Sequence, residues 1–170
     1  QQLKPNSVIV AGQGFIARAT GTSLTFNNTM RTATAGQLLR LTNAIVDRHR
    51  IWLNLTTTDG MFSQALIAYS EDATAEVDSG LDGLYINDSQ TALTTLIDTE
   101  EYAIQSRALP FDGSDIVPIG FKAVTAGIYT ISIDHVDGLF AEGQAVFLKD
   151  NLIGTIYELQ AGAYTFTSEA

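Results

Sequence analysis

At 170 residues and without cysteine, the chain is long enough for one domain with a substantial buried core, and it has no disulfide or thiolate site. Its 19 acidic and 9 basic residues give a formal net charge of −10, which repels phosphate backbones and anionic lipid headgroups. We therefore expect residues 1–170 to form a single module with no nucleic-acid partner. We also expect no membrane insertion, because no apolar run reaches the length of a membrane span.

Strand patterns dominate the chain, with one early exception. In residues 35–49, "AGQLLRLTNAIVDRH", the leucines have a partly helical spacing, but Thr and Asn interrupt it. We interpret this segment as a loop with at most a short helical turn.

The first clear strand signal is "RHRIWLNLTT" (residues 48–57), which places Ile51, Leu53 and Leu55 on one face and Trp52 on the other. This alternation predicts a strand with one buried face. A second run, "FSQALIAYS", follows after the turn sequence "TDGM", so the two runs are predicted to form a hairpin.

The next segment, "SEDATAEVDSGLDGLYINDS" (residues 70–89), has the composition of a long exposed loop. Carboxylate and carbonyl oxygens are the ligands that calcium prefers. The segment does not match the helix-flanked twelve-residue calcium loop, because Gly80 and Ser89 stand where oxygen ligands are needed. Two interpretations stay open: a solvated acidic loop, or a looser calcium site that uses Asp72, Asp78, Asp82 and Asp88.

Further strand signals follow in residues 101–169. "EYAIQSRAL" ends at a proline, and Pro118 inside "DIVPIGFKA" indicates an edge strand or a bulge. "GIYTISIDHVDG" alternates strictly, which predicts Ile128, Thr130, Ser132 and Asp134 on one face and Tyr129, Ile131, Ile133 and His135 on the other. "AVFLKDN", "LIGTIYELQ" and "AYTFTSE" then indicate a meander.

These short, evenly spaced runs predict an all-β protein. We expect two packed antiparallel sheets in a single jelly-roll-like β-sandwich, because the chain shows no alternation of strands with crossover helices.

Catalytic patterns are weak in this sequence. Only His49 and His135 could serve as histidine bases, and neither lies near a Gly-x-Ser-x-Gly elbow or at metal-ligand spacing to a second histidine. We expect both to be structural or surface residues, and we expect no enzyme activity.

Aromatic residues offer a different chemistry, since a ring face can pack on a sugar ring while nearby polar groups bind its hydroxyls. Trp52 is the only tryptophan, and Tyr69, Tyr85 and Tyr102 could join it in a ligand platform. The alternative is that Trp52 is a core residue, as a strand tryptophan often is in a β-sandwich.

Several long strings, including "HRIWLNLTTTDGMFSQALIAY", "IQSRALPFDGSDIVPIGFKA" and "VFLKDNLIGTIYELQAGAYTFTSEA", resemble a domain of Bacteroidetes secreted proteins. In flavobacterial surface and extracellular proteins, that domain precedes the C-terminal sorting signal of the type IX secretion system. The resemblance covers almost the whole chain. It implies export to an extracellular or cell-surface location, within a larger multidomain protein whose neighbouring domains are partners. It assigns no catalytic or binding residue.

We therefore expect a non-catalytic C-terminal module of a type IX-secreted protein, serving as an adhesin-like spacer or a surface-binding unit. The alternative is a calcium-assisted carbohydrate-binding module of a secreted polysaccharide-degrading enzyme, with a polysaccharide or cell-surface glycan as its ligand.

Overall fold

The computed structural model describes residues 8–9, 21–33, 48–87 and 89–169. Contacts between Cα atoms divide the chain into two units, Gln1–Ile45 and Val46–Ala170. The single domain expected from length stays a prediction. Residues 35–47, in which the sequence predicts a loop with a short helical turn, lie outside the described residues.

The described part of the first unit includes a short 3₁₀ turn, Asn28–Met30. The side chain of Asn27 caps this turn by accepting a hydrogen bond from the Thr29 amide at 3.0 Å.

The second unit contains the β structure. Its ten strands, β1 to β10, span His49–Thr57, Phe62–Ser70, Gly83–Leu84, Ala92–Ile97, Glu100–Ala108, Ile119–Lys122, Gly127–Asp137, Phe147–Asp150, Thr155–Glu158 and Tyr164–Ser168. The described residues contain no α-helix, and none of their helical turns is long and apolar enough to cross a bilayer. The all-β prediction is confirmed.

Eight strands form one curled, half-barrel sheet in the order β10-β7-β1-β2-β5-β4-β6, with β3 also paired to β5, while β8 and β9 form a separate ribbon. The sheet is mixed, because β2 and β5 run parallel. The antiparallel prediction is wrong for this pair. Parallel neighbours need a long connection, and the segment 71–99, which includes β3 and β4, supplies it. The two-layer sandwich stays a prediction.

The hairpin of β1 and β2 is confirmed, and it supplies much of the core. Ile51, Leu53 and Leu55 are buried, as are Ala65, Ile67 and Tyr69 of β2. We call this side of the sheet the core face and the opposite side the outer face. On the core face these residues form one cluster with Leu93, Tyr129, Ile131, Phe140 and Leu159. Burial of each large aliphatic side chain contributes about 1.5 to 3 kcal/mol to stability.

The edge position predicted from Pro118 is confirmed. Strand β6 begins at the following residue, Ile119, and stands at one end of the strand order. Proline has no amide hydrogen to donate to a neighbouring strand, so a position beside an edge strand suits it.

A β-bulge corrects the predicted faces of β7. The register of the β1–β7 pair shifts next to Trp52, whose partner is His135, so Asp134 is the extra residue. Asp134 and His135 both lie on the outer face, and Val136 returns to the core cluster. The prediction that His135 shares a face with the buried residues of β7 is therefore wrong, because a bulge reverses the alternation beyond it.

Candidate functional site

Beside the end of β2, the second unit has a cavity of about 400 Å³, which we call the Tyr69 cavity. Its polar lining consists of Tyr69, Arg107, Asp112, Ser114 and Asp115. Pro110 and Ile116 add apolar surface. The lining therefore combines an aromatic ring, a guanidinium, two carboxylates and a hydroxyl, groups that can form hydrogen bonds with a small polar ligand.

Strand pairing brings these groups together. Tyr69 and Arg107 are direct partners in the parallel β2–β5 pair, so their side chains lie on the same side of the sheet. The chain then leaves β5 through Leu109 and Pro110 and returns with Asp115 over both side chains.

The Asp115 carboxylate joins the two strands. Arg107 Nε donates to its Oδ2 at 2.9 Å, and the guanidinium makes a second bond to Oδ1. Tyr69 Oη also donates to Oδ2, at 3.1 Å. The pair of charges is largely buried, with 14% of the Arg107 side chain and 17% of the Asp115 side chain exposed.

These contacts shift the pKa values of Asp115 and Tyr69 further from neutral pH, in opposite directions. The hydrogen bond from Arg107 lowers the pKa of Asp115. Burial, followed by the nearby Asp115 charge, raises the pKa of Tyr69 well above its usual range. At neutral pH Asp115 is thus a carboxylate and Tyr69 a neutral phenol.

Asp112 provides the second carboxylate of the cavity. Its Oδ1 accepts hydrogen bonds from the Ser114 amide and the Ser114 hydroxyl, both at 2.8 Å. These bonds, the backbone bond first, lower the pKa of Asp112. Asp112 is therefore an ionised, solvent-exposed acceptor at the cavity.

Two phenylalanines hold the Tyr69 ring in place. Phe111 packs edge-to-face on Tyr69 with ring centroids 5.0 Å apart, and Phe140 lies 5.7 Å from the same ring. Phe111 and Phe140 also pack edge-to-face on each other. Such aromatic contacts fix ring orientation, so the phenol reaches Asp115 from a rigid support.

Trp52 lies away from this cavity, on the outer face. The Arg50 guanidinium stands 4.6 Å above its ring, and the His135 ring centroid is 5.0 Å away. Beside it, Asn54 donates to Asp134 at 3.0 Å and accepts from Gln64 at 2.7 Å. Arg50 therefore covers part of the indole surface that a sugar ring would use.

The other two predicted aromatic residues occupy separate places. Tyr102 is only 5% exposed. Tyr85 is half-buried beyond β3, where its amide donates to the Glu101 carbonyl at 2.8 Å. The four predicted aromatic residues thus do not form one platform, and only Tyr69 lines the cavity.

Carboxylates of the predicted calcium loop bind the backbone of the protein. Asp78 accepts from the Thr74 amide at 2.6 Å, and Asp82 accepts from the amides of Asp78 and Ser106 at 2.7 and 2.6 Å. Asp72 is exposed. Asp88 lies outside the described residues. In the described ranges, no group of three or more His, Asp or Glu side chains is arranged to hold a metal ion, so the geometry of Asp78 and Asp82 fits a structural role in the loop.

Local sequence patterns did not indicate four of the cavity residues as site residues: Arg107, Asp112, Ser114 and Asp115. The only local signal was the turn-like "PFDGSD" string, in which Asp and Ser favour side-chain bonds to nearby amides. The contact of Arg107 and Tyr69 with Asp115 depends on a parallel strand pair, which local patterns do not specify.

A family model described as Domain of unknown function (DUF8693) matches residues 1–170. Neither a curated protein nor a solved structure gives a match to the sequence.

Proposed function

The chain belongs to the DUF8693 family, and we propose that it is a non-catalytic, surface-binding module of a secreted or cell-surface protein. We propose further that it binds carbohydrate in the Tyr69 cavity. The observation that carries this proposal is the convergence of Arg107, Asp112, Ser114 and Tyr69 on one open cavity of about 400 Å³.

Binding is favoured over catalysis by the protonation states of the cavity. A general acid or base works best when its pKa lies near the operating pH. The Arg107 contact lowers the pKa of Asp115, while burial raises that of Tyr69. Both groups therefore hold one protonation state near neutral pH and act as fixed hydrogen-bonding partners.

Carbohydrate suits the composition of the cavity. A sugar hydroxyl both donates and accepts, so the Asp112 carboxylate and the Ser114 hydroxyl oxygen can accept from it while Arg107 donates to it. Pro110 and Ile116 offer apolar surface to the C–H groups of a sugar ring. Because the lining has two carboxylates and one guanidinium, a neutral or amino-bearing sugar fits better than an acidic one.

The proposed location rests on the resemblance to flavobacterial domains that precede a type IX sorting signal. In such a protein this module would connect neighbouring domains and hold them at a glycan surface. Surface proteolysis of cells that express the parent protein, with and without a working type IX system, tests export: protection in both strains would contradict it.

Carbohydrate binding is tested by a glycan array with residues 1–170, followed by calorimetry on the strongest hit. Replacing a charged acceptor removes a hydrogen bond worth about 1.5 to 3 kcal/mol, so we expect Asp112→Asn to weaken binding about tenfold or more. Glu142→Gln makes the same charge change at an exposed position outside the cavity lining and should leave affinity unchanged.

Other outcomes separate the alternatives. If Trp52→Ala abolishes binding while Asp112→Asn does not, the ligand binds the outer face and the cavity proposal is wrong. Binding that is lost with a chelator and restored by calcium would support the calcium-assisted alternative. No glycan binding would leave the spacer role, and turnover of any bound glycan would overturn the non-catalytic assignment.

A further inference from the structure

The β8–β9 ribbon exposes an unusual amount of apolar surface. Phe147, Leu152, Ile153 and Ile156 are 62%, 93%, 65% and 64% exposed. Single exposed apolar residues are ordinary, but four within one ribbon indicate an interaction surface.

The ribbon is firmly supported from its other side. Leu148 and Tyr157, which are direct partners, pack against the core cluster. Asp150 Oδ1 accepts from the Leu152 amide at 2.8 Å, and its Oδ2 accepts from Tyr164 Oη at 2.8 Å. The exposed side chains are therefore presented on a fixed support attached to β10.

Four side chains form the outward face of the ribbon, which we call the hairpin face. Phe147 stands opposite Glu158, and Lys149 stands opposite Ile156. All four residues are exposed. Because opposite residues of an antiparallel pair project to the same side, the two apolar side chains lie on one diagonal and the two opposite charges lie on the other.

We propose that the hairpin face binds the same face of a second copy of this chain. When two copies meet face to face about a two-fold axis along the Phe147–Ile156 diagonal, Phe147 packs on the partner's Phe147 and Ile156 on the partner's Ile156. Lys149 then meets the partner's Glu158, and the reverse contact follows by symmetry. A two-fold axis along or across the strands would place each apolar side chain against a charged one. An axis along the Lys149–Glu158 diagonal would place each charge against the same charge of the other copy.

Charge complementarity favours a second copy over other occupants. The chain carries a net charge of −10, which repels an anionic lipid surface and also opposes dimerisation. A second copy offsets this repulsion with two local Lys149–Glu158 pairs and two apolar contacts, which an anionic lipid surface does not supply. An unrelated protein would need both the apolar pair and the charge pair in this arrangement, whereas a second copy supplies them by symmetry. Since only one ribbon per subunit takes part, we expect a weak dimer rather than an obligate one.

Sedimentation equilibrium from micromolar to near-millimolar concentration tests the dimer directly. We expect a monomer–dimer equilibrium for the natural chain. K149E and E158K each replace two attractive contacts by two repulsive ones, so each variant alone should dimerise at least about tenfold more weakly. An equimolar mixture of K149E and E158K restores both opposite-charge contacts and should dimerise again.

The control is E142Q, which changes charge away from the ribbon and should leave dimerisation unchanged. F147S removes the apolar contact and should abolish the dimer. Circular dichroism and thermal midpoints show whether each variant is folded. A natural chain that stays monomeric at every concentration overturns the proposal. The proposal is also overturned if neither K149E nor E158K weakens the dimer, or if the equimolar mixture of the two variants does not dimerise.

Discussion

Tyr69 and Arg107 are partners on the parallel strands β2 and β5, and both donate to the same oxygen, Oδ2 of Asp115. This shared acceptor connects the core face of the sheet to the loop that follows β5. A substitution of Asp115 should therefore change both the stability of the protein and the shape of the Tyr69 cavity.

We expect Asp115→Asn to destabilise the protein by about 1 to 3 kcal/mol, because it leaves the largely buried Arg107 guanidinium without its counter-ion. Urea unfolding followed by Trp52 fluorescence measures the change. Asp72→Asn is the matched control, since it removes one charge at an exposed position and should cost less than about 0.5 kcal/mol. Equal effects of the two variants would contradict a structural role for Asp115.

The Asp115 carboxylate should also make the free energy of unfolding depend on pH in the acid range. Arg107 holds the folded-state pKa of Asp115 below that of the unfolded chain, about 3.9. Its stabilisation is therefore complete above that pH and is lost as the pH falls through the folded-state pKa. The difference in unfolding free energy between the natural chain and Asp115→Asn should shrink below about pH 4. A difference that is constant with pH would show that the charge plays no part.

Tyr69 should make the free energy of unfolding fall at alkaline pH, in contrast to the loss at acid pH that Asp115 causes. Burial raises the folded-state pKa of its phenol above the unfolded value of about 10. The stabilisation is complete below that pH and is lost as the pH rises above it, because the unfolded chain ionises more readily. Tyr69→Phe lacks this group, so the stability difference between the two proteins should start to fall as the pH rises above about 10 and should keep falling at higher pH. The raised pKa of Tyr164 is common to both and cancels in the comparison.

Gly138 should tolerate no side chain. It has a φ of +57°, and a Cβ there would stand 2.2 Å from both the Arg48 carbonyl oxygen and His49 Nδ1. His49 Nδ1 also accepts from the Leu139 amide at 3.0 Å, so the clash would disturb that bond. We expect Gly138→Ala to cost more than about 2 kcal/mol in thermal or urea unfolding.

Gly143 is the control for this prediction. Its φ is also positive, at +106°, but nothing lies within 4 Å of a Cβ built there. Gly143→Ala should therefore cost only the backbone strain, about 1 to 2 kcal/mol. If both variants lose the same stability, steric exclusion at Gly138 is not the cause.

Local patterns predicted much of the β structure. The alternation of Ile51, Leu53 and Leu55 specified a strand with one buried face, and the turn after it specified a hairpin. Both inferences depend only on the two-residue repeat of a strand and on turn chemistry, which act between near neighbours. The same rule failed at His135, since the bulge at Asp134 is set by the pairing with β1.

The candidate site was only partly predictable for the same reason. Tyr69 was named from its residue type, but Arg107 and Asp115 were not, and Trp52 and Tyr102 lie elsewhere. The cavity requires β2 and β5 to be parallel neighbours, although nearly thirty residues separate them in the chain. Contacts between such distant segments are selected by the packing of the whole sheet.

By itself, the sequence determined the strand-rich composition, the buried face of β1, and the excess of negative charge, because these follow from residue type and spacing. The tertiary structure alone decided which strands are neighbours, that one pair is parallel, and which polar groups meet at Asp115. Strand propensity is local, whereas pairing depends on the burial that each arrangement of the complete chain achieves.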